Sequence, residues 1–351
     1  MVPDSLLNPF AVDPRVELPH PIEPVPLWTE YCYFFGYDLQ TRTGLSVHIG
    51  REPFDPQLWR ATLGIYLSGE DLLVAKCVGR NGHGRGPGTG PLRITCLEPM
   101  RLWSIEFDGV AHASTRTELT REVLRDSPGE PLSFYLLFEG AAPFWDMHQT
   151  LMKEQSWGSR HWEQICRVRG EIRCRGNTLA VAGAGVRDHS VGPRDYAPVI
   201  GNFWANGFFP ESGRAFMAQL TRSANLGAEI RHGYVFRNDG TPLEVVKLLE
   251  SPPVNTATTS AASIASDPLS DASLKSLQIT LATSRGKEVI DGELLHSIGT
   301  TYLSPSEELI GTDFARDDGL QLTESAARFR WNGEVGLGVR ERIAGIRTLR
   351  K

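Results

Sequence analysis

The sequence predicts an all-β protein built mostly of antiparallel strands, and three observations carry that expectation. Short runs in which apolar and polar residues alternate recur along the whole chain, the pattern of strands with one wet face. Glycine and proline are abundant, 35 and 23 of 351 residues, and several fall in tight-turn pairs. Helical spacing is nearly absent. So much β structure in one chain calls for sandwiches or closed barrels, because open sheets leave unpaired edges.

The elements follow in order. Residues 1–27, with many prolines and several acids, read as an extended N-terminal segment. Gly79 to Gly90 (GRNGHGRGPGTG) is too rich in glycine to be ordered by its own side chains and reads as a loop. In Leu92–Cys96 the residues alternate as on a half-exposed strand, and Trp103, Ile105 and Phe107 do the same before Asp108-Gly109, a tight-turn signal. Pro143 to Gln155 is the one plausible helix, with Pro143 in its first turn. Later strands are marked by Phe216, Ala218 and Leu220, by Leu277, Ile279 and Leu281, and by Ala327, Phe329 and Trp331. Asn238-Asp239-Gly240 and Asn332-Gly333 punctuate them as turns. Ser251 to Ser266, a Pro, Thr, Ser and Ala tract, reads as a solvent-facing excursion. The natural division falls near Cys166, giving one set of strands in 28–165 and a second in 166–351, with no clean sequence repeat between them.

Composition excludes several classes. A formal net charge of −6 argues against a basic nucleic-acid surface. No stretch approaches the roughly 18 consecutive apolar residues of a membrane span, and Met1 to Pro26 lacks the basic-then-apolar order of a secretory signal. Five cysteines, Cys32, Cys77, Cys96, Cys166 and Cys174, form no CxxC pair. They read as reduced thiols of a cytoplasmic protein. The glycine-rich loop has neither the GxxxxGK[ST] nor the GxGxxG order, and HExxH, GxSxG and paired His/Cys spacings are missing. No metal and no cofactor is expected; the oligomeric state is not legible.

One dense polar constellation stands apart. Gly183 to Tyr196 packs two arginines, two aspartates, a histidine, a serine and a tyrosine into a strand-like run after the apolar stretch Leu179–Ala184. An extended chain sends Arg187 and His189 to one face and Asp188 and Ser190 to the other. Charged groups inside a barrel must be paired. The arginines therefore serve either a structural network or a site, while Asp188 and His189 are candidates for acid–base chemistry. Gly201 to Phe209, with Phe203 and Trp204, would suit an apolar pocket whose rings stabilise developing positive charge, or simple barrel filling.

The run Gly183-x-Gly185-x-Arg187-Asp188-His189-Ser190-x-Gly192-x-Arg194-Asp195, followed by an aromatic, resembles the signature of the hydroxyneurosporene synthase (carotenoid 1,2-hydratase)/AttH-like superfamily, nearest a bacterial branch that also resembles fungal kievitone hydratase. His161-x-Glu163-Gln164, Trp103-x-Ile105-x-Phe107-Asp108-Gly109 and Trp331-x-Gly333-Glu334-x-Gly336-x-Gly338-x-x-Glu341 support it, and the likeness covers about residues 28–345. The resemblance implies two tandem antiparallel lipocalin-like (calycin) β-barrels with few short helices and a hydrophobic cavity. It implies chemistry without a redox cofactor, either hydration of isolated double bonds or cyclisation of polyenes. It places shared positions at Asp188, His189, Ser190 and Arg194. Val191 stands where the family commonly carries Trp, which implies a wider pocket or a missing cation-facing ring.

The expected activity is that of a cofactor-independent hydratase, dehydratase or double-bond isomerase on an apolar terpenoid, steroid or polyketide-like molecule. The alternatives are a cyclase or pericyclase, and a non-catalytic carrier of a hydrophobic metabolite. Protonating an unactivated alkene needs a buried acid, because burial raises a carboxyl pKa. Asp188 is the expected proton donor with Asp195 as stand-in, and His189 the partner that takes a proton from water. Tyr196, Phe203 and Trp204 would line the pocket and shield charge. Arg187 and Arg194 would hold carboxylates, although an arginine beside Asp188 works against its acid role.

Overall fold

The computed structural model describes residues 4–147, 159–226, 229–252, 276–303 and 307–349. Among these the chain is almost entirely β, arranged as two closed antiparallel barrels of eight strands each. Three helices are short: α1 (Asp4–Leu7), α2 (Arg116–Arg121) and α3 (Ile346–Leu349). This is the tandem lipocalin-like architecture expected from the sequence.

The first barrel uses β1 (Trp28–Asp38), β2 (Thr43–Glu52), β3 (Asp55–Tyr66), β4 (Asp71–Gly79), β6 (Leu102–Thr115), β7 (Gly129–Gly140), β9 (Arg160–Cys174) and β10 (Asn177–Pro193). It closes where β10 pairs with both β9 and β1. Two short strands lie beside the ring: β5 (Leu92–Glu98) on β6, and β8 (Trp145–Asp146) on β9. Its core draws on every wall strand, with Phe34, Val47, Leu63, Leu73, Ile105, Phe138 and Val168 among the buried side chains. The second barrel is formed by β11 (Val199–Phe209), β12 (Arg214–Ser223), β13 (Ile230–Phe236), β14 (Glu244–Glu250), β15 (Ser276–Thr283), β16 (Gly286–Leu303), β18 (Leu320–Trp331) and β19 (Glu334–Gly345), with β17 (Glu307–Ile310) beside β16. Pairing of β15 with β16 completes that ring.

Several expectations are corrected. The chain divides between Asp195 and Tyr196 rather than near Cys166, with residues 69–71 and 114–125 grouped with the second unit. The β9 and β10 staves are what close the first barrel, so the polar constellation belongs to that barrel and not to the C-terminal one. Asp108-Gly109 is not a turn: β6 runs straight through it because β7 pairs along Leu102–His112, a tertiary partner overriding a local signal. The start of the expected 143–155 helix is extended, with Trp145 and Asp146 paired to Glu163 and Trp162; residues 148–155 lie outside the described residues, as does most of 251–266. The glycine loop 79–90 is pinned by backbone bonds, including Ile94 N–H to Pro87 O at 3.1 Å and Cys96 N–H to Arg85 O at 2.8 Å. The Asn332-Gly333 hairpin holds, with φ of 50° and 83° at its two residues.

A repeat hidden in the sequence emerges from strand register. Gly185 faces Gly36 across the β1–β10 seam, and Gly338 faces Gly207 across β11–β19. A Cβ on either Gly185 or Gly338 would come within 1.8 Å of a carbonyl oxygen, that of Phe35 or of Asn206. From these anchors Gly183-x-Gly185-Val186-Arg187-Asp188-His189 corresponds to Gly336-x-Gly338-Val339-Arg340-Glu341-Arg342. The glycines let neighbouring staves approach, and the residues after them are delivered alternately to lumen and outer wall.

Candidate active site on the first barrel

The sequence placed Arg187 and His189 on one face of the strand and Asp188 and Ser190 on the other, and β10 does so. Arg187 and His189 share the face of Phe34 and Cys32, their neighbours on β1, which belong to the barrel core. Asp188 and Ser190 therefore face outward. Asp188 and His189 cannot pass a proton directly between them, and the expected donor–acceptor pair is separated by the wall of the barrel.

Inside, the N-terminal segment supplies what Arg187 needs. A 3₁₀ turn at Pro14–Glu17, capped by Asp13, sends Glu17 into the lumen. There Arg187 makes a bidentate ion pair with the Glu17 carboxylate, one bond at 2.8 Å, and donates to Gln164 Oε1 at 2.7 Å. Glu17 also accepts from the Met100 N–H at 3.0 Å and Trp103 Nε1 at 3.1 Å. Both charged side chains are fully buried. Burial alone would raise the Glu17 pKa, but Arg187 holds it below the usual carboxylate range.

His189 joins a second interior network. Its Nε2 and the Nδ1 of His20 each lie 3.0 Å from Glu30 Oε1, and Arg51 Nε donates to Glu30 Oε2 at 3.0 Å. Burial works against the His189 cation, yet neighbouring Cys32 and Glu30 raise its pKa well above the ordinary imidazole value. His20, Glu30 and His189 present three ligand atoms within 4.8 Å of one another and are the one described trio able to grip a metal ion. The Arg51 guanidinium already neutralises the carboxylate, so the arrangement works as an ion network tying the N-terminal segment to β1 and β10. Val191 lies on the same inner face, buried and paired with Glu30, not beside Asp188.

Outside, register assembles a polar panel across four staves. One row runs His161, Ser190, Tyr31, Gly50; the next runs Glu163, Asp188, Tyr33, His48. Glu163, Ser190, Tyr33 and His48 are buried, and Asp188 and His161 are mostly so. Burial raises the Asp188 pKa above that of an ordinary aspartate; His161 and Arg194 pull it down and Glu163 pushes it up. The arginine beside Asp188 thus opposes its acid role, and burial wins. Burial lowers the His161 pKa. His161 Nε2 lies 3.2 Å from Glu163 Oε1, while its Nδ1 is shut from solvent with no hydrogen-bond partner. Arg194 donates to Ser190 Oγ at 3.2 Å and lies 4.5 Å over the Tyr31 ring. The His48 ring sits 4.5 Å from that of Tyr33. A carboxyl pushed toward its protonated form beside an imidazole pushed toward its neutral form is a pair suited to giving and taking a proton.

The remaining expected residues are dispersed. Asp195 is half-buried just beyond β10. Tyr196 begins the second unit, its ring 5.4 Å from Tyr302. Phe203 is core of the second barrel and not part of the first-barrel panel. Trp204 projects from the opposite face of β11, beside Glu341 and Gln219. The sequence reading missed His161, Glu163, His48, Tyr31 and Tyr33 as site residues, although His161-x-Glu163 carried a signal in its period-two spacing before Gly170.

Fold and site together define a protein of two tandem lipocalin-like barrels bearing an acid–imidazole panel on the outer wall of the first. The chain belongs to the DUF7064 family, described as a domain of unknown function, which it matches over residues 13–288. A comparison with curated proteins finds no match in sequence. Solved structures share the fold at low identity. An AttH-like protein from Nitrosomonas europaea is 14% identical with a TM-score of 0.50, covering 93% of this chain and 98% of its own. Kievitone hydratase from Nectria haematococca is 12% identical with a TM-score of 0.52, covering 90% and 88%. CghA in complex with Sch210972 is 10% identical with a TM-score of 0.51, covering 92% and 89%.

Proposed function

We propose that the protein is a cofactor-independent hydratase, dehydratase or double-bond isomerase acting on an apolar substrate, with Asp188 as general acid and His161 as general base. The observation that carries this reading is the pairing of a carboxyl raised by burial with an imidazole lowered by burial on adjacent staves. In hydration, protonated Asp188 gives its proton to one alkene carbon and a C–H bond forms. Water adds to the cation left on the other carbon, and its spare proton goes to the neutral His161 imidazole. Transfer from His161 back to Asp188 resets the site, so the net change is addition of one water across the double bond. The Tyr31 and Tyr33 rings on the same panel are suited to shielding the cation, and Glu163 orients His161. His189, which the sequence offered as the base, holds the barrel together instead. The shared fold of kievitone hydratase supports hydratase-type chemistry by analogy only, and the likeness to hydroxyneurosporene synthases rests on the β10 motif.

The test uses a panel of prenylated and terpenoid alkenes incubated with the protein in H₂¹⁸O or D₂O, with products read by mass spectrometry. Label enters the product with wild type, and turnover falls at least a hundredfold in Asp188→Asn and His161→Gln. Rearranged product without label, insensitive to both substitutions, would replace this reading with a cyclase. Retention of the alkene unchanged would leave a carrier.

A further inference from the structure

The repeat between β10 and β19 makes the first barrel an internal control for the second. Arg187 and Arg340 occupy the same place, two residues beyond the glycine that abuts the neighbouring stave. Arg340 pairs across the sheet with Ala205 and Ser325, and Arg342 with Phe203 and Thr323. Ala205, Phe203 and the Ala327–Phe329–Trp331 series belong to the second barrel's core, so both arginines point into its lumen. In the first barrel three of the four corresponding neighbours are larger, Phe34 and Gln164 beside Arg187 and Trp162 beside His189, while Cys32 beside His189 is smaller than Phe203 beside Arg342. There a carboxylate and an amide take both terminal nitrogens of the guanidinium, and its Nε alone is left without a partner. In the second, Arg342 has one bond, to Gln321 Oε1 at 3.0 Å. Among the described residues Arg340 makes no hydrogen bond or ion pair. Its Nε, the Arg342 Nε and the Ser325 Oγ are all buried without partners, and buried polar groups are seldom left so. Glu324 and Glu341 lie on the outer face, where Asn202 Nδ2 donates to Glu341 at 3.0 Å; Glu341 favours the Arg340 cation by charge alone, without a hydrogen bond to it.

We infer that the lumen of the second barrel is a binding site for an apolar carboxylic acid, whose carboxylate takes on Arg340 and Arg342 the place that Glu17 takes on Arg187. Planar guanidinium groups match a carboxylate in two parallel bonds. The small residues Ala205, Ser325 and Thr323 leave room where the first barrel has bulk, and Phe203 offers the acid's hydrocarbon an apolar neighbour. Burial pushes the Arg340 guanidinium down to about 9, with Arg342 adding to the effect; a bound anion would relieve both. Nothing in this assignment depends on Asp188.

Decanoate and decan-1-ol serve as matched probes, titrated into the full-length protein by calorimetry and checked by ligand-induced shift in melting temperature. Wild type should bind decanoate at least tenfold more tightly than the alcohol. Arg340→Met, with folding verified by circular dichroism, should abolish that preference while still binding the alcohol. Arg340→Lys should retain part of it, which guards against a misfolded Met variant. Asp188→Asn should leave decanoate binding unchanged, separating this site from the panel on the first barrel. Equal affinity for acid and alcohol, no decanoate binding, or a preference that survives in Arg340→Met would each overturn the assignment.

Discussion

Glu17 and Arg187 show how one residue outside any strand decides the chemistry of another at the centre of the motif. Breaking a buried pair leaves an uncompensated charge, so Glu17→Gln should destabilise the protein by about 3–5 kcal/mol, read from the urea midpoint. Glu17→Leu combined with Arg187→Met should recover most of that loss, since an apolar replacement strands no ion. The pH dependence separates the residues further. Glu17 and Glu30 have lowered pKa values, so their contribution is present above the ordinary carboxylate range and lost as pH falls through their folded values. His189 has a raised pKa; its contribution is complete below the ordinary imidazole value and lost as pH climbs through the folded one. The wild-type minus His189→Gln difference in urea midpoint should therefore shrink on the alkaline side. Activity should be bounded on both sides: protonation of His161 closes it toward acid pH, at a point that burial moves below the ordinary imidazole value, and ionisation of Asp188 closes it toward alkaline pH, at a point that burial moves above the ordinary aspartate value. His161→Gln should leave no acid limb in whatever rate survives. At this scale the sequence was partly legible. Alternation put Arg187 and Asp188 on opposite faces correctly, but partners 170 positions away, such as Glu17, leave no trace in local spacing.

At the scale of elements, the motif glycines are legible as a pattern and illegible as a cause. Gly185 reads in sequence as part of a signature; in the fold it is where the Phe35 carbonyl presses against β10. Gly185→Ala should force the β1–β10 seam apart and cost at least about 1–3 kcal/mol, the usual scale of overpacking. Gly84→Ala, where a Cβ meets nothing within 4 Å, is the matched neutral control. Hydrogen exchange of the β1 and β10 amides would report the opened seam directly. Alternating runs found β5, where one face is wet, and also β12 and β18, whose polar positions are mostly buried as well. They failed where pairing decides the outcome, as when β7 carries β6 through Asp108-Gly109. The expected helix at Pro143 failed for the same reason, since β9 captures Trp145 and Asp146 as a strand. The repeat between β10 and β19 went unread because only Gly-x-Gly-Val-Arg and a following acid are shared, too short a run to stand out until register aligns the two strands.

On the scale of the molecule, the class was legible and the boundary was not. Turn-rich, alternating sequence demands closed sheets, and two eight-stranded rings answer that demand. The division was misplaced because the change of local style at Gly170 falls inside β9, which pairs through it without a register shift, rather than at the end of a barrel. Removing residues 1–20 should do more harm than Glu17→Gln, since it also deletes His20 and the segment joining both interior networks. The expected result is loss of exchange protection across β1, β9 and β10.

Closure of the first barrel by its last stave sets a schedule for synthesis. A nascent chain that has emerged only to residue 165 has neither β10 nor most of β9, so β1 and β7 hang as raw edges. The ring can be sealed only after residue 193 has left the ribosomal exit tunnel. Glu17, made first, must wait for Arg187, made late. A truncation drawn at the apparent halfway mark would yield an aggregating half-ring, whereas one ending just past 195 carries every stave the first barrel needs.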